Sequence, residues 1–193
     1  MDFEQLTRII RGRRTHYASD FSEEKISKEL IEEIVTNAIW APTHKLTQPW
    51  RFVVLEGKHH ENLGNYMANY YRERYTEEEF SNQRFEETKQ YPKNATLIVL
   101  IMERSKRVKI PEWEEIAAVS SAVQNMWLSC TSLKIGAYWD SGEATIKYVS
   151  EIIDLKDNEK CFGIFYMGYL KKDTLEVNRK RKSITKKLSW QKI

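Results

Sequence analysis

Two cysteines in 193 residues, Cys130 and Cys161, are too few for a disulfide framework. Both sit inside apolar runs without metal-ligand spacing, which points away from a zinc site and toward buried structural thiols. Long hydrophobic runs are missing as well: no stretch approaches the ~20 consecutive apolar residues of a membrane span. The opening Met1-Asp2-Phe3-Glu4 has neither the basic nor the apolar region of a signal peptide, so the cytoplasm is the expected compartment. No strand candidate is followed by Gly-x-Gly-x-x-Gly, which argues against a Rossmann dinucleotide domain. The four histidines, His16, His44, His59 and His60, make no metal spacing, and the serines lack a nucleophile-elbow context. Hydrolytic and metal chemistry therefore have no visible carrier.

What is present suits one soluble domain over 1–193. Hydrophobic residues make up 41% and charged residues 31%, with a net charge of only +3. That charge is uneven. The basic tail, 170–193, holds eight Lys or Arg between Lys171 and Lys187 against Asp173 and Glu176. The run from Lys171 to Lys187 lacks interleaved aromatics and the rest of the chain is near neutral, so a solvated segment, or a few cations closing over one small phosphate, is favoured over nucleic acid.

Periodicity predicts a helix over 2–11 with Phe3, Leu6 and Ile10 on one face and Gly12 as terminator. A second helix, capped by Ser27, carries Leu30, Ile31, Ile34, Val35 and Ala38 before Pro42 ends it. Residues 50–55 read as a strand, and 58–90 as a long or broken polar helix, the expected mobile cover. Residues 95–102 form a buried strand. Next comes a helix over 113–133 rich in small residues, a short strand at 136–139 closing on the Asp140-Ser141-Gly142 turn, a weak helix over 144–153 and a strand over 161–169. The order is irregular, so the fold class is α+β with a central mixed or antiparallel sheet flanked by helices.

Chemistry concentrates in two places. Arg13-Arg14-Thr15 puts two guanidiniums and a hydroxyl in succession, a set suited to phosphate because Arg offers a rigid fork of donors. The bland role of the arginines is to complement the negative end of the first helix, worth about 0.3–1 kcal/mol. Ala41-Pro42-Thr43-His44-Lys45-Leu46-Thr47-Gln48-Pro49-Trp50 is a polar bend between helix and strand, where a ligand can be held. Further groups are Lys109-Ile110-Pro111-x-Trp113-Glu114 and Trp139-x-Ser141-Gly142.

In this order the groups resemble the nitroreductase family, whose members carry Arg-Arg-Ser/Thr after the first helix, Ala-Pro followed by Gln-Pro-Trp before the first strand, and Gly-x-x-x-Trp late in the chain. The small bacterial NAD(P)H nitroreductases with His-Lys in that bend are the most similar. The resemblance implies a homodimer binding FMN at the subunit interface, with NADH or NADPH as electron donor. The implied reaction is ping-pong reduction of nitroaromatic, quinone or similar electron-poor small molecules. Carried over by position, Arg13, Arg14 and Thr15 hold the phosphate and ribityl chain, and Arg179 or Arg181 adds a phosphate contact. Trp139, Asp140 and Ser141 line the ring, partly through backbone groups. Trp40 and His44 come from the other subunit, and Lys45 is placed to stabilise negative charge on the flavin. No side chain is then required as a catalyst, because the flavin carries the hydride chemistry. The chain departs from the wider family at Tyr17, where many members have a further Arg, and at Leu46, where many have Asn; the His44-Lys45 pair stands in for that Asn. Two other readings remain open: the same fold and flavin with a different reaction, such as dehydrogenation or dehalogenation, and a non-enzymatic binding protein using the basic tail.

Overall fold

The strand over 95–102 anchors the molecule, because it is apolar at every position from Leu97 to Met102 and buried on both sides. A computed structural model describes residues 2–174 and 180–191. Its elements run α1 (Phe3–Gly12), α2 (Lys28–Ala38), β1 (Trp50–Leu55), α3 (His59–Arg72), α4 (Asn82–Gln90), β2 (Thr96–Glu103), α5 (Glu112–Ser132), β3 (Ile135–Asp140), α6 (Glu143–Ile152) and β4 (Glu159–Tyr169). The four strands form one antiparallel sheet in the order β1-β2-β4-β3. Of the mixed and antiparallel alternatives, the second is found.

Alternation along the central strands divides the core in two. Leu97, Val99 and Ile101 join Tyr138, Ile164 and Tyr166 in a cluster against α3 and α6. Ile98 and Leu100 join Ala137, Phe165 and Met167 against α2 and α5, including Met126 and Cys130. Side chains of successive strand residues point to opposite faces, so a strand covered by helices on both sides reads as an unbroken apolar run.

Local chemistry sets the element ends. Asp2 and Gln5 form a capping box on α1, at 2.7 and 3.1 Å, and Ser27 caps α2 through Leu30 N. The expected Gly12 terminator is not used as such. Gly12 is the last helical residue, and Arg13, in an extended conformation, closes the helix with its N–H on Ile9 O. The 58–90 segment is broken: α3 and α4 are separated by residues 73–81 and pack on each other so closely that a Cβ on Gly64 would lie 2.0 Å from Lys89 O. Gly163 has φ +99°, and a Cβ there would lie 1.9 Å from Asp140 O, so only glycine lets β4 pass the end of β3. Among the described residues no helix is long and apolar enough to cross a membrane.

Candidate functional site

The end of α1 delivers Arg13, Arg14 and Thr15 to the edge of α5. The Arg13 guanidinium lies 4.5 Å from the centroid of the Trp127 ring, and Trp127 Nε1 donates to Arg14 O at 3.1 Å. Arg14 takes up part of the bland role, its Nη1 donating to Arg11 O at 2.6 Å and Arg13 O at 3.0 Å. Arg13 does not: its Nη1 is buried without a hydrogen-bond partner. Burial first, then the charges of Arg181 and Arg14, pull Arg13 below the usual guanidinium value. Three cations therefore converge around one unsatisfied donor, an arrangement that an anion would relieve. Arg179 lies outside the described residues. Thr15 is half-buried and Arg181 is exposed.

Beyond Thr15 the chain bonds to β3 through His16 N and Ala137 O at 3.1 Å, then reaches Ala18 and Ser19 on the wall of a cavity of about 880 Å³. Tyr91, Tyr138, Asp140 and Lys171 also line it. That volume falls in the range of about 300–1,000 Å³ usual for small-molecule sites. Tyr138 stacks on Tyr166 at 4.6 Å between centroids, and its buried Oη has no hydrogen-bond partner. Burial pushes the Tyr138 phenol far up, so it stays neutral. Asp140 accepts from Gly142 N at 2.8 Å and Thr145 Oγ1 at 2.6 Å, which fixes the turn and starts α6. Ser141 is exposed beside it. Trp139 alternates to the other face, where its Nε1 donates to Phe162 O at 2.5 Å, so its indole packs in the α2–α5 layer.

A second surface carries the remaining candidates. Trp40 is 81% exposed at the end of α2. His44, in a single 3-10 turn over His44–Leu46, bonds through Nδ1 to Glu114 Oε2 at the start of α5. The two line a cavity of about 410 Å³ with Pro42, Thr43 and Trp113. Lys45 is exposed next to His44. The single chain thus brings Arg13, Arg14 and Arg181 together and sets Asp140 on the larger cavity, but gives Trp40, His44 and Lys45 a separate surface.

Sequence reasoning missed Tyr91, Tyr138, Trp127 and Glu114. Period-2 alternation was the available signal for Tyr138, which shares a face with Asp140 and not with Trp139. Nothing local foretells Trp127 under Arg13, a contact across 114 positions of the chain. Among the described residues no group of His, Cys, Asp and Glu is arranged to hold a metal ion.

The family model described as Nitroreductase family matches residues 10–169. YfhC of Bacillus subtilis, which bears the provisional name of an NAD(P)H nitroreductase, is 31% identical over 166 residues, covering 83% of this chain and 82% of that protein. A solved nitroreductase-like family protein from Bacillus cereus superposes with a TM-score of 0.78 at 25% identity, over 98% of this chain and 97% of that one. The FMN-dependent nitroreductase NfnB from Mycobacterium smegmatis, solved in complex with NADPH, shares the fold with a TM-score of 0.75 at 18% identity, over 99% and 100% of the two chains.

Proposed function

The chain belongs to the nitroreductase family, and from that premise we propose that it is an FMN-dependent oxidoreductase that works as a homodimer. It takes electrons from NADH or NADPH and passes them to a nitroaromatic, quinone or similar electron-poor small molecule. The observation that carries this reading is Arg13: a half-buried guanidinium with an unpartnered Nη1, crowded by Arg14 and Arg181, fits the phosphate of the mononucleotide. Thr15 adds a hydroxyl, and Arg14 lies near enough to Arg13 for its charge to be felt there.

When bound, the flavin supplies hydride acceptance and donation, and the chain has to bind, orient and shield it. The backbone of 139–141 suits the ring edge because Asp140, tied to Gly142 N and Thr145, makes that turn rigid. Tyr91 and Tyr138 give the cavity an apolar wall that excludes water. Donor and acceptor use one slot in turn, which is the physical basis of ping-pong turnover.

Support for a second copy comes from the surface. Phe3, Trp40, Leu46, Trp113 and Trp190 are each more than two-thirds exposed, large apolar side chains that a second copy would cover. In the dimer, Trp40, His44 and Lys45 of one copy complete the flavin site of the other.

Purification is the test. The expected preparation is yellow, releases FMN on denaturation, sediments as a dimer, and gives parallel steady-state lines with NAD(P)H and a nitroaromatic under anaerobic conditions. A colourless monomer that fails to take up added FMN refutes the reading.

A further inference from the structure

Two motifs that are 70 residues apart in sequence meet at one hydrogen bond, His44 Nδ1 to Glu114 Oε2. Both ends of the contact are held from behind. On the α5 side, the next residue, Glu115, is 1% exposed and accepts from Arg104 Nε at 2.7 Å and Ser105 N at 2.9 Å. Arg104 Nη2 also donates to Ile110 O at 3.1 Å, which pins the start of α5 and with it Glu114. On the other side, Thr43 Oγ1 pairs with Thr47 Oγ1 at 2.9 Å and accepts from Gln48 N at 3.0 Å, so the turn carrying His44 is braced across its base.

The turn is expensive. Lys45, Leu46 and Gln48 have φ of 50°, 54° and 44°, and a left-handed non-glycine residue costs about 1–2 kcal/mol. One hydrogen bond from the half-exposed His44 ring to a carboxylate returns less than three such residues cost. The pair therefore does not explain the strain, and the stability of the single chain gains little from keeping His44 where it is. Two large apolar side chains beside it, Leu46 in the same turn and Trp113 on the same cavity, are 79% and 68% exposed. A strained, braced turn that presents an imidazole among uncovered apolar groups is built to meet something outside its own chain.

A carboxylate only accepts, so the proton of the bond sits on Nδ1, and Nε2 is the ring atom left over. Among the described residues Nε2 has no hydrogen-bond partner. We infer that Glu114 is a positioning residue for His44: by holding Nδ1–H it fixes tautomer and ring orientation, so that Nε2 is presented across the subunit boundary to the flavin held by Arg13 of a second copy. The inference rests on the reading of the chain as an FMN-binding homodimer. It assigns to Glu114 the orienting part that carboxylates take behind ligand-contacting histidines elsewhere. Glu114 itself touches no ligand.

The test uses the FMN-loaded dimer labelled with 15N-histidine; the four histidines are few enough to resolve, and His44→Ala identifies the His44 signals. Neutral His44 is expected to carry its proton on Nδ1 in the parent protein and to shift toward the Nε2–H form in Glu114→Ala. In parallel, FMN dissociation constants are measured by flavin fluorescence for Glu114→Ala, His44→Ala and the double variant. Each single variant should bind FMN about tenfold more weakly, and the double no more weakly than His44→Ala alone. Glu114→Asp should recover part of the loss. If Glu114→Ala does not fold, Glu114→Gln carries the same comparison, with a smaller loss because the amide oxygen still accepts. An unchanged tautomer, an unchanged dissociation constant, or losses that multiply in the double variant overturn the inference while leaving the flavoprotein reading intact. A parent protein that binds no FMN removes the flavoprotein reading itself, and this inference with it.

Discussion

Replacing Arg13 with Met should separate binding from stability, because the guanidinium is poorly satisfied in the free chain. Its Nη1 is buried without a partner, a penalty of about 1–3 kcal/mol, and Arg181 and Arg14 add repulsion. Against this stands the contact with Trp127 at 4.5 Å, worth about 0.5–2 kcal/mol, which a Met thioether partly replaces. The balance is small and leans toward stabilisation. The FMN-free Arg13→Met protein should melt within ~3 °C of the parent, on the higher side, given about 2–4 °C per kcal/mol for a chain of this size. With FMN the order reverses. Loss of a charge-assisted contact of about 1.5–3 kcal/mol predicts roughly 10- to 150-fold weaker binding. The FMN-induced rise in melting temperature should shrink accordingly. Thermal melts with and without FMN, together with a fluorescence titration, decide the matter. A free variant that melts well below the parent and still binds FMN normally would show that Arg13 is a structural residue, and the phosphate assignment would fall.

Three further outcomes follow from the rest of the fold. Glu159, with no exposed side-chain surface, is held down to about 2, first by Arg51 at 2.7 and 2.9 Å and by the Lys156 N–H at 3.0 Å. Its folded value lies below the unfolded one of about 4.3, so its contribution is present above pH ~4.5 and is lost as pH falls toward 2. Urea midpoints of Glu159→Gln should be lower than the parent's at pH 7 and flatter across that acid window; an equal slope would refute the linkage. Gly163→Ala should destabilise by about 3 kcal/mol or more, from the positive φ and the overlap with Asp140 O, and a urea midpoint near that of the parent would contradict it. Burial pushes the Cys130 thiol up to about 12 and raises Cys161 as well, so neither should react with a disulfide reagent at pH 8 until the protein is unfolded. Rapid labelling of the folded protein is the opposing result.

Most of the secondary structure was legible because its signals are local. Ser27 caps α2 as its position implies, and the apolar run at 95–102 is a strand buried on both faces. The break at 73–81 was not legible, because no proline or glycine marks the end of α3, which closes through Glu73 N on Asn69 O at 3.0 Å. At the site, residue types announced the arginine cluster and the polar bend, but not which guanidinium is left unsatisfied. That distinction needs Trp127 beneath Arg13 and the helix end beside Arg14. Glu114 stood inside a recognised motif, yet its partner lies 70 residues away, and no periodicity reports a contact of that range.

The first helix buries none of its ten residues within its own protomer, and Phe3 is 82% exposed. A segment that short has little helicity alone in water, yet Arg13 hangs directly from its end. The grip on an anion then inherits the mass action of whatever covers that helix, and retention of the chromophore becomes a function of protein concentration. A sample diluted below the dissociation constant of that association should release its flavin before it unfolds.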